Sequence, residues 1–252
     1  MGVLPGQPDR DVVAGDAHLR HRLVRLRQKA AAELVGTGFL VATVIGSGIA
    51  ASRLSPGNIG LQLLENSLAT GAVLVALILA LHPVSASFNP VVTLVERVLG
   101  TISTRTAAAL VAAQVAGGLA GAVVANLMFD LPAVTLSQHA RSGSGLWLGE
   151  VVATLGLVVV VLGTLRGADS SRVAYAVGGY IAAAYWFTSS TSFANPAVTL
   201  ARTVTDTFAG IAPSSVLAFV LAQLLGGALG LGAVALLHPV RRTAPPARKA
   251  LP

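Results

Sequence analysis

Ser87-Phe88-Asn89-Pro90-Val91-Val92-Thr93-Leu94 returns later in the chain as Ser192-Phe193-Ala194-Asn195-Pro196-Ala197-Val198-Thr199-Leu200, with the two asparagines 106 residues apart (195 − 89). Each copy opens a short apolar piece, residues 89–98 and 195–204. A helix needs about 20 apolar residues to cross a bilayer, so neither piece spans one. Asn is among the best helix N-caps, and Pro is comfortable at the first helical position. Each piece therefore reads as a half-length helix entered by a non-helical loop. Inside a membrane, irregular backbone is tolerated only where protein buries it or where it lines a watery cavity. A pair of broken segments in corresponding halves thus points to a site.

The surrounding sequence extends the duplication. Ala32-Glu33-Leu34-Val35-Gly36-Thr37 matches Gly149-Glu150-Val151-Val152-Ala153-Thr154, and Ala113-Gln114-Val115-Ala116-Gly117-Gly118 matches Ala222-Gln223-Leu224-Leu225-Gly226-Gly227. Three matches in the same order define two halves. Long apolar runs fall at 31–51, 60–81, 107–128, 145–164, 172–188 and 214–237, which predicts six transmembrane helices. The expected organisation is a basic cytoplasmic segment (1–30), a first channel repeat (31–128), an extracytoplasmic connection (129–144), a second channel repeat (145–238) and a disordered cytoplasmic tail (239–252). Three spans per half is an odd number, so the second half inserts upside down. The half-helices then enter from opposite faces and meet near the midplane, N-termini together. The expected fold class is an all-α membrane protein with six spans and two re-entrant half-helices in an inverted repeat.

Composition agrees. Of 252 residues, 54 % are hydrophobic and 11 % charged, against about 25 % charged in soluble domains. Cysteine is absent, which removes disulfides, thiolate nucleophiles and Cys-ligated metals. The net charge of +7 does not point to nucleic acid, because of where the charges sit. With the N-terminus in the cytoplasm, outward-facing segments carry Arg53, Arg141 and Arg202, and the other 14 of 17 basic residues face inward. That is the positive-inside pattern. It predicts a multi-pass protein of the inner (plasma) membrane with both termini cytoplasmic, embedded in the lipid bilayer.

The polar residues within the spans are few and repeated. Asn89 and Asn195 are expected to cap the half-helices and to present amide donors to a pore. Helix N-termini carry partial positive charge, so the pair would orient a hydroxyl or water oxygen and repel protons and cations. Glu33 and Glu150 are expected to accept hydrogen bonds from orphan N–H groups of the re-entrant loops, rather than to relay protons. Gln114 and Gln223 are expected to bond between helices. Gly36, Gly117, Gly118, Gly226 and Gly227 are expected at close helix contacts. No phosphate loop surrounds the glycines, the histidines lack metal-ligand spacing, and no catalytic constellation is present, so no enzyme, metal or cofactor is expected.

Taken together, these motifs resemble the major intrinsic proteins, the aquaporins and aquaglyceroporins, over about residues 31–238. That family's signature is two Asn-Pro-Ala motifs in inverted repeats; here they are Asn89-Pro90-Val91 and Asn195-Pro196-Ala197. The first departs from the pattern at Val91, and its preceding segment is one residue short and lacks a His. The resemblance implies a passive channel for small neutral solutes such as water and glycerol-like polyols, assembled as a homotetramer. It implies an outer constriction of Thr70, Ala183, Ser192 and Val198, where Val198 replaces the usual Arg. With small residues throughout, that ring is expected to be wider and less polar than in a strict water channel. Arg202 lies one turn further along, and the selectivity role is not carried onto it. The stretch from Tyr185 to Val198 is similar to a bacterial branch associated with arsenic-resistance genes, which implies neutral arsenite as a further solute. Two rivals stay open on the residues alone: an ion-coupled secondary transporter, which also uses inverted repeats and broken helices, and a non-conducting structural membrane protein.

Overall fold

Apolar runs bounded by good caps become helices. The computed structural model describes residues 10–166 and 172–238, with side chains from Arg25 onward. Its helices are α1 (Arg10–Leu54), α2 (Ile59–Leu81), α3 (Pro90–Val98), α4 (Thr104–Met128), α5 (Ser144–Leu165), α6 (Arg172–Phe187), α7 (Pro196–Ala201) and α8 (Pro213–Leu237), and a 3-10 turn, Arg202–Val204, continues α7. Asn58 caps α2 by accepting from the Leu61 N–H, and Ser103 caps α4 by accepting from the Thr106 N–H. Proline opens α3, α7 and α8, where its missing N–H costs nothing.

Among the described residues, five helices, α1, α2, α4, α5 and α8, are long and apolar enough to cross a membrane. The sixth expected span is α6, whose 16 described residues rise about 24 Å. The helix containing the first span reaches back to Arg10, through most of the basic segment. The expected tail after 238 and residues 1–9 lie outside the described residues.

The burial pattern is that of a membrane protein. Phe39, Leu68, Leu148 and Leu217 face outward at 59 % exposure or more, while Glu33, Thr37, Gln114, Glu150, Thr154 and Gln223 are fully buried. Lipid covers the apolar exterior, and the polar side chains are turned inward, where the hydroxyls of Thr37 and Thr154 are buried without a hydrogen-bond partner. The tightest pairings are α1 with α4 and α5 with α8, the same pair in each half. Glycine makes both. A Cβ at Gly117 would strike the Leu34 carbonyl, and one at Gly226 would strike the Val151 carbonyl. Small residues let these backbones touch.

Candidate functional site: the junction of two half-helices

The residues preceding each asparagine take a costly conformation. Phe88 and Ala194 both have φ of 47°, in the left-handed region that costs a non-glycine residue roughly 1–2 kcal/mol. The position lets the N–H and the carbonyl of both residues find partners. The Phe88 N–H donates to Glu33 Oε2 at 2.7 Å and the Ala194 N–H to Glu150 Oε2 at 2.9 Å. The Phe88 carbonyl accepts from Asn195 Nδ2 and the Ala194 carbonyl accepts from Asn89 Nδ2, both at 2.7 Å. The two loops are thus stitched crosswise, across more than 100 residues of chain.

Each asparagine therefore does two things. Asn89 Oδ1 accepts from the Val91 N–H, and Asn195 Oδ1 accepts from the Ala197 and Val198 N–H groups, which caps α3 and α7. One amide hydrogen is used on the opposite loop. An amide carries two, and both side chains line the cavity described below. Pro90 and Pro196 occupy the first helical position, with Val91 and Ala197 buried behind them.

The buried carboxylates anchor the loops. Glu33 accepts from the Ser85 hydroxyl, the Ser87 and Phe88 N–H groups and Gln114 Nε2, all at 2.6–2.8 Å. Glu150 accepts from the Phe193 and Ala194 N–H groups and from Gln223 Nε2 at 2.6–2.9 Å. Gln114 also donates to Thr93, and Gln223 to Thr199, tying α4 to α3 and α8 to α7. Each carboxylate is thus bound both to the loop that enters a half-helix and to a glutamine of the helix packed behind it. Glu65 has no counterpart in the other half; its Oε1 accepts from the Ser55 hydroxyl at 2.6 Å.

A cavity of about 360 Å³ runs past this junction, from Lys29, His82 and Glu96 at one end to Thr70, Tyr185, Ser192, Val198 and Arg202 toward the other. These ends are the α3 mouth and the α7 mouth. Much of the wall between them is aliphatic, with Leu74 and Ile78 of α2 facing Val173, Val177 and Ile181 of α6. Three of the four residues expected at the constriction line it: Thr70, Ser192 and Val198. The Ser192 hydroxyl is buried without a protein partner.

Ala183 does not line the cavity. It is exposed on the outer face of α6, because a helix turns about 100° per residue and the inward stripe is Val173, Val177, Ile181 and Tyr185. Tyr185 takes its place, with its hydroxyl 3.2 Å from Thr70 Oγ1. Tyr185 thus adds a phenol ring and a hydroxyl to the cavity wall beside Thr70. The i, i+4 spacing from Val173 to Tyr185 was the signal in the sequence that finds this residue.

Arg202 also lines the cavity, at 3 % exposure. Its Nε donates to the Ala209 carbonyl, and its guanidinium sits 3.4 Å from the centroid of the Phe193 ring. The Arg141 guanidinium lies 5.1 Å from the same ring, so the α7 mouth is electropositive. There, partial burial together with Arg141 and Arg202 holds the His139 imidazole below its ordinary pKa.

A profile of the family described as "Major intrinsic protein" matches residues 20–172. The chain belongs to the major intrinsic protein family. It is similar to aquaglyceroporin AqpS of Rhizobium meliloti (strain 1021), with 50 % identity over 218 residues, 86 % of this chain and 93 % of that protein. Its fold is similar to the aquaglyceroporin of Plasmodium falciparum, at a TM-score of 0.65 and 17 % identity, over 83 % of this chain and 95 % of that one. As a major intrinsic protein the chain is a multi-pass membrane channel and not an enzyme, a passive route for small uncharged solutes. Among the described residues, no group of His, Asp and Glu is placed to hold a metal ion.

Proposed function

We propose that this channel passes small neutral hydroxylated solutes, from water up to glycerol-sized polyols, and uncharged arsenous acid. The observation that carries this reading is the aliphatic side chain of Val198 on the cavity wall beside the hydroxyls of Thr70, Tyr185 and Ser192. An Arg at Val198 would bring five fixed donors and a positive charge. Valine leaves room for a larger solute, and the hydroxyls replace part of its hydration shell. The name of the Rhizobium relative, an aquaglyceroporin, supports glycerol among the solutes. Protons are excluded at the junction, where two positive helix ends and the asparagine amides face the pathway.

In this reading the protein lies in the plasma membrane, the α3 mouth and both termini are cytoplasmic, and four chains associate. The excess of Lys and Arg on the α3 side supports the orientation, and family resemblance supports the tetramer. The clamped state of Glu33 and Glu150 argues against ion coupling. Stopped-flow light scattering on proteoliposomes tests the proposal, with water, glycerol, urea and arsenous acid gradients. Val198→Arg is expected to cut glycerol and arsenous acid flux about tenfold more than water flux. Equal loss for all solutes, or none, would show that Val198 does not set the filter. Uptake that collapses when the proton or sodium gradient is dissipated would return the transporter reading.

A further inference from the structure

The two half-helices carry opposite charges at the same place. Glu96 stands seven positions after Asn89, and Arg202 seven after Asn195 (96 − 89 and 202 − 195). Each is one turn beyond a pore valine, Val92 or Val198, and all four side chains line the same cavity. Seven residues rise about 10 Å, which sets one charge toward each mouth and leaves the uncharged junction between them.

Consider what each kind of ion meets. A cation is opposed by the positive helix ends at the junction and again by Arg202. An anion is opposed by neither: helix N-termini with free amide donors are anion-binding features, and a guanidinium attracts anions. The aliphatic walls impose a desolvation cost on every ion, but that cost does not depend on sign in the way a fixed charge does. Among the described residues on the wall, the group that discriminates against anions by charge is Glu96. It is half-buried, and the like charge of Glu33 and the opposite charge of Lys29 both act on its carboxylate. Lys29 and His82 line the same mouth, and Lys29 tempers its field.

We infer that Glu96 is a specificity-determining residue that closes this pore to anions, paired by the repeat with Arg202, which adds to the cation barrier at the other mouth. The inference rests on the reading of the cavity as the solute path. Its test uses the full chain in liposomes carrying a trapped halide-quenched dye, with chloride leak and glycerol flux read on the same preparation. Glu96→Gln is expected to raise the ratio of chloride leak to glycerol flux about tenfold, the effect of removing a fixed charge from the wall of the path. Glu96→Asp should stay as tight as the parent. Parent-like chloride leak in a Glu96→Gln protein that still conducts glycerol would overturn the inference. So would equal leaks in the Gln and Asp variants. If Glu96→Gln conducts no glycerol, the absence of native cysteine allows Glu96→Cys to decide. Labelling it with a sulfonate thiol reagent should restore exclusion, and a trimethylammonium reagent should raise the leak; identical results with both would overturn the inference. A parent with no glycerol flux above empty liposomes would instead defeat the channel reading itself.

Discussion

α3 and α7 are the same device at their N-termini and different devices at their C-termini. At the junction they match group for group: an Asn cap, a left-handed residue before it, a Glu taking the loop N–H groups, and a Gln joining that Glu to a Thr on the half-helix. Seven residues on, the likeness ends. α3 runs as α-helix to Val98 and is followed by a short connection to Thr104. α7 tightens into a 3-10 turn after six residues and is held by the long connection between α4 and α5. There the Thr135 and Ser137 N–H groups donate to the Val204 and Thr203 carbonyls, and Asn126 donates to the Val204 carbonyl while accepting from Thr205. The difference teaches that symmetry is needed only where two loops must satisfy one another in the absence of water. The mouths face solvent, carry no such mutual constraint, and are free to differ in charge and in scaffolding.

The comparison breaks most visibly at the carboxylates. Glu33→Ala and Glu150→Ala each strand several buried donors, at about 1–3 kcal/mol apiece. Each variant should lose on the order of 4 kcal/mol and most of its monodisperse yield in detergent, to a similar degree. Glu→Gln at either site should keep a folded protein with some flux. A large difference between the two Ala variants would show that the halves are unequally dependent on their clamps.

Gly117→Ala and Gly226→Ala probe the helix pairs behind the clamps. In both, the new Cβ meets a backbone carbonyl of the partner helix, which cannot rotate away as a side chain can. Each should cost about 2 kcal/mol, seen as a lower melting temperature in detergent. An unchanged melting temperature for one of them would mean that its helix pair separates more easily than its twin.

At the mouths the effects are on selectivity. Arg202→Gln should raise potassium leak only about threefold, because the helix ends at the junction still repel cations. A much larger rise would move the main cation barrier from the junction to the α7 mouth. Tyr185→Phe should change least: it removes one hydroxyl from Thr70 without changing ring volume, and glycerol flux should fall by about twofold or less. A stronger loss in the same liposome assay would make that hydroxyl a contact for the passing solute.

The sequence by itself determined the duplication, the half-helices and the residues that clamp them. Asn-Pro, Glu and Gln recur at fixed places in two halves, and a buried amide or carboxylate among apolar neighbours has few roles open to it. Five of the six expected spans followed from run lengths among the described residues. Which side chains reach the pathway was decided only in three dimensions. One or two positions on a helix rotate a side chain from pore to lipid, so Tyr185 lines the cavity where Ala183 was expected. The inward turn of Arg202 depends on a carbonyl seven residues on and on the ring of Phe193, contacts that no local pattern encodes. The crossed bonds from each asparagine to the opposite loop are of the same kind: the donors and acceptors are legible as types, but only packing brings them within 2.7 Å.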